Sequence, residues 1–241
     1  MPEPVLQARD IHTYYGDSYV IQGVDLDLIE GRTLALLGRN GMGKTTLIRS
    51  LMNLTTPKQG EVKYRGKVVS GLHPNRVARH GIALVPQGRR IFPTLTVQEN
   101  LALPGSVLAG RGMNGAAAWT QQRVYTLFPR LQERAGQMAG SLSGGEQSML
   151  AFGRALMCNP DVILMDEPTE GLAPVIVARI GEVIEELKKS GLTILLVEQN
   201  ARFAENVADD VSILSNGKIV FHGTPEALDD DPDTRQRWLG I

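Results

Sequence analysis

Three short stretches of the chain carry residue types that handle phosphate groups and water. One is the acidic pair Asp166-Glu167, and another is a Leu-Ser-Gly-Gly-Glu run at residues 142–146. The third matches G-x-x-x-x-G-K-T with Gly38-Arg39-Asn40-Gly41-Met42-Gly43-Lys44-Thr45, followed by Thr46. Lysine neutralises phosphate, a threonine hydroxyl binds a metal ion, and a carboxylate activates water. Together they predict a protein that binds a nucleotide and acts on its phosphates.

The glycine-rich stretch has the surroundings that a phosphate-binding loop requires. It follows an apolar run at 33–37, which predicts a buried strand, and leads into a predicted helix at 44–54. Its glycines permit positive φ, so backbone N–H groups can face phosphate oxygens at the positive end of that helix. Lys44 would reach the β- and γ-phosphates and Thr45 would bind Mg²⁺. A glycine-rich turn with a surface lysine is the alternative.

The nucleotide is predicted to be ATP. Guanine-specific members of this class usually carry an N/T-K-x-D tetrapeptide, and this sequence contains none. Adenine would instead be held by stacking on an aromatic ring, for which Tyr14 and Tyr15 are the candidates. Ordinary packing beside a turn is the alternative for either tyrosine.

The acidic pair ends an apolar run at 162–167 that predicts a strand. Open α/β sheets bind ligands at the carboxyl ends of their strands. Asp166 suits the surroundings of a metal ion or a water bound to it. Glu167 suits a general base that polarises water for in-line attack on the γ-phosphoryl group, while Mg²⁺ and Lys44 neutralise the developing charge. A helix-capping acid with a solvated neighbour is the alternative.

With these motifs, the chain resembles the ATP-binding cassette family of transport ATPases over nearly all of its length. Five elements stand in the family's order: Tyr15, the phosphate loop, Gln87, the signature at 142–146 and the acidic strand. The resemblance implies an α/β fold, a P-loop NTPase with a RecA-like core, an N-terminal antiparallel β-subdomain and an inserted helical subdomain. It implies one domain over 1–241, with the helical subdomain at 88–160, and it makes Tyr15 the adenine-stacking residue.

The resemblance also assigns roles to Gln87 and to the signature. Gln87 would touch Mg²⁺ and link the nucleotide state to a groove for the permease. Ser143, Gly144 and Gly145 would open a helix that presents a hydroxyl, N–H groups and its dipole to an anion. In the family this anion is the γ-phosphate of ATP held by a second subunit, so two domains close around two nucleotides. Without the resemblance, Ser-Gly-Gly is an ordinary helix start.

Two positions depart from the family pattern. Gln199 stands where the family generally has a histidine that contacts the γ-phosphate, and Ala173 stands where an aspartate bridges the subunits. Glutamine donates and accepts hydrogen bonds but cannot become charged near neutral pH. Glu167 is retained, so we expect a working ATPase whose catalytic residues are Glu167, Lys44 and Gln199.

The same departures, with Val-Pro-Gln-Gly-Arg-Arg-Ile-Phe-Pro at 85–93, resemble the LivF-type ATPases of bacterial importers for branched-chain amino acids. The resemblance implies two transmembrane permeases, a solute-binding protein, and a sister ATPase or a second copy as the dimer partner. The ATPases of urea importers share much of this wording, and amide and aromatic-acid importers are also open.

The resemblance implies a peripheral protein on the cytoplasmic face of a membrane, and the composition agrees without deciding the matter. The chain has 241 residues, 42% of them apolar, enough for a sizeable core. Its net charge of −1 gives no support for a nucleic-acid partner. The single Cys158 fits a reducing cytosol. No apolar run approaches the roughly 18 residues that span a bilayer, and the first residues lack a secretory signal.

Between 88 and 160 the strand pattern gives way to helical stretches. These stretches are predicted at 97–103, 119–127 and 145–158, and the glycine- and alanine-rich segment at 104–118 is predicted to be a mobile loop. In the resemblance, residues 89–92 lie by the groove that accepts a permease helix. A core phenylalanine with solvated arginines is the alternative for those four residues.

Two other classes of protein use similar motifs. Cassette ATPases that work on ribosomes or DNA tend to carry tandem cassettes or long coiled-coil insertions, which 241 residues do not accommodate. Small-molecule phosphotransferases share the phosphate loop, but the signature at 142–146 argues against them. Transport is therefore the expected function.

Overall fold

The structure is a computed structural model that describes residues 3–107 and 118–240. In these ranges the strands are β1 Pro4–Tyr15, β2 Ser18–Ile29, β3 Thr33–Leu37, β4 Gln59–Tyr64, β5 Lys67–Val68, β6 Ile82–Val85, β7 Val162–Asp166, β8 Thr193–Glu198, β9 Asp210–Ser215 and β10 Lys218–Gly223. An antiparallel sheet has the order β2-β1-β4-β5. The other sheet has the order β10-β9-β3-β8-β7-β6, and all but β10 are parallel.

Helices cover both faces of the parallel sheet. The α-helices of the described ranges are α1 Lys44–Leu51, α2 Pro74–His80, α3 Val97–Val107, α4 Gln121–Leu127, α5 Pro129–Glu133, α6 Gly144–Leu156, α7 Pro174–Lys189, α8 Ala201–Val207, α9 Pro225–Asp229 and α10 Pro232–Thr234. In the described ranges, no helix is both long and apolar enough to cross a membrane.

Strand β3 separates two hydrophobic cores because alternate residues of a strand face opposite sides of the sheet. Leu34 and Leu36 pack in a core that α1 shares with the antiparallel sheet. Ala35 and Leu37 pack in a second core, which α7, α8 and the helices between 97 and 156 complete. Helix α1 therefore lies between the two sheets, with its N-terminus at the carboxyl end of β3.

The predicted α/β architecture is confirmed, with differences at element ends. Helix α1 ends at Leu51 rather than at residue 54, and α3 continues through Pro104 to Val107, where a loop was expected. Helix α4 begins after Thr120 because the Thr120 hydroxyl accepts a hydrogen bond from the Arg123 N–H and caps the helix. Most of the predicted mobile loop, residues 108–117, lies outside the described residues.

Candidate nucleotide site

The phosphate loop joins β3 to α1, and close packing explains two of its glycines. A Cβ on Gly38 would lie 2.4 Å from the Leu214 carbonyl oxygen, and one on Gly43 would lie 2.9 Å from Ile21 Cδ1. Gly43 also has φ 105°, which side chains disfavour. Helix α1 begins at Lys44 without a side-chain cap, so no side chain competes with an anion for the N–H groups of its first turn.

The Lys44 side chain is folded back onto the acidic pair. It is 4% exposed, and its Nζ lies 3.0 Å from Glu167 Oε1. The same nitrogen donates hydrogen bonds to the carbonyl oxygens of Gly38 at 2.8 Å and Arg39 at 3.2 Å. In this arrangement Lys44 neutralises Glu167, and both side chains are withdrawn from solvent.

Strand β7 delivers the two carboxylates in different surroundings. Asp166 Oδ1 accepts a hydrogen bond from the Thr45 hydroxyl at 3.1 Å. Burial raises the pKa of Asp166 to about 6, the Thr45 hydroxyl opposes this, and the charge of Glu167 adds to it. Glu167 has φ 48°, so the chain turns sharply there, and its N–H donates to the Val197 carbonyl oxygen at 2.9 Å.

Gln87 closes the site from the end of β6. Its Nε2 donates to Glu167 Oε2 at 3.2 Å and to Glu170 Oε2 at 3.0 Å. A cavity of about 330 Å³ lies against these groups. Its lining residues are Val20, Asn40, Gly41, Gly43, Lys44, Thr45, Thr46, Gln87, Glu167 and Glu170. The structure therefore brings eight of the predicted residues to one cavity.

The oxygen groups beside the phosphate loop suit a Mg²⁺ ion that binds together with a nucleotide. Thr45 lines the cavity, and its hydroxyl is hydrogen-bonded to the Asp166 carboxylate, so two oxygen groups lie together there. Across the described ranges, no three His, Cys, Asp or Glu side chains are grouped to hold a metal ion by themselves. Mg²⁺ usually takes one or two protein oxygens and completes its coordination with phosphate and water, so this small set suits it.

Gln199 lies in a second cavity that also reaches Glu167. This cavity has a volume of about 580 Å³, and Thr169, Glu170, Glu198 and Gln199 contribute to its lining. Gln199 is exposed and follows the last residue of β8. Strands β7 and β8 are parallel neighbours, which brings their carboxyl ends, and with them Glu167 and Gln199, to the same edge of the sheet.

The two candidate tyrosines differ in their contacts. The Tyr14 ring stacks on Tyr19 at 4.4 Å between centroids, and Lys58 Nζ lies 4.3 Å from the Tyr14 centroid. Tyr15 is 44% exposed, and its hydroxyl lies 3.1 Å from Thr55 Oγ1. Tyr14 is thus committed to protein contacts, whereas the Tyr15 ring is open to solvent.

Several predicted residues do not line the 330 Å³ cavity. The Met42 sulfur accepts a hydrogen bond from the Asn216 N–H at 3.4 Å, which fastens the phosphate loop to the turn between β9 and β10. Gly38 and Arg39 contribute carbonyl oxygens to Lys44. These three residues therefore hold the conformation of the loop through their hydrogen bonds.

The signature residues start α6 through a capping box. Ser143 Oγ accepts from the Glu146 N–H at 3.3 Å, and Glu146 Oε2 accepts from the Ser143 N–H at 2.8 Å. Arg134 lies 2.7 Å from Glu146 and fixes that carboxylate. None of Ser143, Gly144 and Gly145 lines the phosphate-loop cavity. Within one copy of the chain, the signature therefore lies apart from the phosphate loop.

Sequence reasoning gave no role to three polar residues near Glu167. Glu170 accepts a hydrogen bond from Gln87 and lines both cavities. Thr169 and Glu198 are buried and hydrogen-bonded to each other. Burial raises the pKa of Glu198, while the hydrogen bonds that it accepts act to lower it. The sequence signal for Glu198 was its place at the end of an apolar strand, the same signal that identified Glu167.

Comparison with known proteins agrees with this geometry. The family model described as ABC transporter matches residues 21–170. The chain is 44% identical over 236 residues to the high-affinity branched-chain amino acid transport ATP-binding protein BraG of Pseudomonas aeruginosa, covering 98% of this chain and 100% of that protein. It is 33% identical to the probable branched-chain amino acid transport ATP-binding protein LivF of Archaeoglobus fulgidus, covering 98% and 99%.

A solved structure gives the same result for the fold. The nucleotide-free ATP-binding cassette of an ABC transporter superposes with a TM-score of 0.83 at 27% identity, covering 99% of both chains. The family model covers more than half of the chain, and the named relatives are matched along nearly their whole length. This chain therefore belongs to the ABC transporter family, as one of its ATP-binding ATPase proteins.

Proposed function

We propose that this chain is the ATP-hydrolysing subunit of an importer for branched-chain amino acids. The observation that carries the proposal is the 44% identity to BraG over the whole of that protein. The Archaeoglobus relative is named for transport of the same solutes. The solute would pass through separate permease subunits, and this chain would supply the energy of ATP hydrolysis.

Hydrolysis would use Glu167 as the general base. The water oxygen bonds to the γ-phosphorus, the bond from that phosphorus to the β–γ bridging oxygen breaks, and Glu167 takes the proton of the water. In the structure Lys44 Nζ lies 3.0 Å from Glu167 Oε1, so the base is engaged in an ion pair. The β- and γ-phosphates of ATP would draw Lys44 away and leave Glu167 free to face the water.

Thr45 and Asp166 would hold Mg²⁺, with Gln87 completing the protein side of the site. Mg²⁺, when bound, neutralises charge on the phosphate oxygens. The 3.1 Å hydrogen bond from Thr45 to Asp166 orients the threonine hydroxyl. Gln87 uses its Nε2 on Glu167 and Glu170, so contact with the metal would require the Gln87 side chain to leave those carboxylates.

The remaining predicted residues would bind the other parts of ATP. The exposed ring of Tyr15 would stack on adenine, and the N–H groups of residues 40–46 would contact phosphate oxygens. Gln199 would orient the attacking water through its side-chain amide, which stays neutral across the physiological range. Hydrolysis would therefore not depend on the ionisation of a histidine at this position.

The second half of the nucleotide site would come from a second ATPase subunit. Ser143, Gly144 and Gly145 lie at the N-terminus of α6, outside the cavity of their own chain. They would contact the γ-phosphate of ATP held by the second subunit, which is a sister ATPase or a second copy of this chain. The signature of that second subunit would in turn complete the site of this chain. The two permeases would hold the pair at the cytoplasmic face of the membrane, and a solute-binding protein would deliver the cargo.

The proposal is tested by purifying the tagged full-length chain from its native membrane in mild detergent and identifying the proteins that accompany it. Two permeases and a sister ATPase, with a leucine-binding protein in the same system, are expected. Ribosomal or DNA-repair proteins in their place would overturn the transport assignment. Permeases whose binding protein takes urea would overturn the assignment of branched-chain amino acids as the cargo.

Two surface variants test where the permeases dock on this chain. Phe92 is 44% exposed beside the proposed permease groove, and Val68 is 50% exposed on β5 of the antiparallel sheet. We expect Phe92→Asp to lose the permeases and Val68→Asp to keep them. Loss of the permeases from both variants, or from neither, would contradict docking at residues 89–92.

A further inference from the structure

Glu198 is a buried carboxylate at the end of β8 with no part in the hydrolytic scheme above. It is 2% exposed, and among the described residues no lysine, arginine or histidine forms an ion pair with it. A buried carboxylate is costly unless hydrogen-bond donors surround it. Glu198 is surrounded by four donors, and their arrangement indicates what it does.

Each carboxylate oxygen of Glu198 holds a different loop. Oε1 accepts hydrogen bonds from the Thr169 N–H at 3.2 Å and the Thr169 hydroxyl at 2.6 Å. Oε2 accepts from the backbone N–H groups of Gln199 at 3.1 Å and Asn200 at 3.4 Å. One side chain therefore ties the loop after β7 to the loop after β8.

Both loops carry residues that face the reacting phosphate in the proposed scheme. Thr169 lies two residues after Glu167, and Gln199 follows Glu198 directly. Glu167, Thr169, Glu198 and Gln199 all line the 580 Å³ cavity. The Glu167 N–H also donates to the Val197 carbonyl oxygen, so a backbone hydrogen bond joins the two strand ends as well.

We propose that Glu198 is a positioning residue that fixes Glu167 and Gln199 relative to each other. Only a carboxylate accepts on both oxygens, so glutamine would turn an NH₂ group toward N–H donors and release one of the loops. The water would then lose the simultaneous contact of its base and its orienting amide. This inference rests on the proposed roles of Glu167 and Gln199.

The test compares variants in the purified transporter complex by steady-state ATP hydrolysis. Glu198→Gln is expected to lower kcat about 10- to 100-fold and to leave KM for ATP within about twofold, because loss of positioning acts on the chemical step. Gln199→Ala should lower kcat in the wild type but have little further effect in Glu198→Gln, since residues acting as one unit are not additive.

Glu205→Gln is the matched control for a purely structural carboxylate. Glu205 is mostly buried on α8, and its partner Arg235 lies 3.2 Å away. We expect Glu205→Gln to lower thermal stability and leave kcat unchanged. If Glu198→Gln has wild-type kcat, or loses activity only in proportion to unfolded protein, or is additive with Gln199→Ala, Glu198 is not a positioning residue.

Thr169→Val keeps the test decisive if Glu198→Gln does not fold. It removes the 2.6 Å hydrogen bond and keeps the shape of the side chain, so kcat should fall by a smaller factor with KM unchanged. Unchanged kcat in Thr169→Val would then overturn the inference. Failure of the proposed role of Glu167 would show differently, as hydrolysis by Glu167→Gln at the wild-type rate.

Discussion

At the scale of single residues, the site is a set of carboxylates whose charge is balanced mainly by Lys44. Asp166 and Glu167 are buried at the end of β7, and Glu170 lies beside them at the cavity. Lys44 pairs with Glu167, and the Thr45 hydroxyl donates a hydrogen bond to Asp166. The carboxylates at this end of β7 therefore differ in the groups that offset their charge.

Replacement of Glu167 separates binding from hydrolysis. Glu167→Gln should lower the rate of phosphate release about 10²- to 10⁴-fold, the usual contribution of a general base, while ATP still binds. Phosphate release and equilibrium binding of ATP measure the two effects. Glu170→Gln, in the same cavity, should lower the rate less than tenfold. A larger loss in Glu170→Gln than in Glu167→Gln would mean that Glu170, and not Glu167, is the general base.

Replacement of Asp166 should stabilise the nucleotide-free protein. Burial raises the pKa of Asp166 from 3.8 to about 6, so its neutral form is favoured in the folded state, and the wild type loses stability as pH rises through that range. Asp166→Asn avoids this loss, which amounts to at most about 3 kcal/mol.

Thermal unfolding in EDTA at pH 5 and pH 8 tests this expectation. The variant's advantage in Tm should be a few degrees at pH 8 and smaller at pH 5, and hydrolysis should be lost at both pH values. An advantage that shrinks as pH rises would contradict the assignment of the raised pKa to Asp166.

At the scale of elements, α6 connects the signature to the core of the helical region. Its capping box fixes the N-terminus at Ser143, and its middle packs on α3 and α4 through Gly153. A Cβ on Gly153 would lie 2.8 Å from Leu101 Cδ2 and from Val124 Cγ1. Glycine lowers helix propensity, so its presence here reflects the closeness of the neighbouring helices.

Alanine at two helical glycines should have different effects on the free energy of unfolding. Gly153→Ala forces apart a tight contact and should cost about 1 to 2 kcal/mol. Gly181 on α7 has its nearest neighbour, Phe203 Cε2, at 3.4 Å, so Gly181→Ala should be neutral or stabilise by up to about 1 kcal/mol. Urea denaturation of both variants measures the difference. Equal effects would mean that α6 does not pack as described.

The elements could be predicted from the sequence because their signals are local. Apolar runs gave β3, β7 and β8, and the glycine pattern gave the start of α1. The Lys44–Glu167 pair and the four hydrogen bonds of Glu198 could not be predicted, since they depend on which strands are neighbours. The roles of the site residues and the subdomain limits at 88 and 160 stay predictions.

At the scale of the whole molecule, the phosphate loop and the signature lie apart in one chain. The loop, Thr45 and Glu167 share a cavity, and Ser143 to Gly145 do not reach it. A complete site in the proposed scheme therefore needs a second subunit, and hydrolysis becomes a property of the assembly. Family membership and the fold could both be predicted from sequence because the motifs are specific.

The most direct test is solute uptake by the complete transporter in proteoliposomes, with ATP on the side of this chain. We predict that wild-type complex accumulates leucine only with ATP, and that complex containing Glu167→Gln takes up at least tenfold less while retaining all of its subunits. Uptake of urea without leucine, or equal uptake of leucine by wild type and Glu167→Gln, would contradict the account.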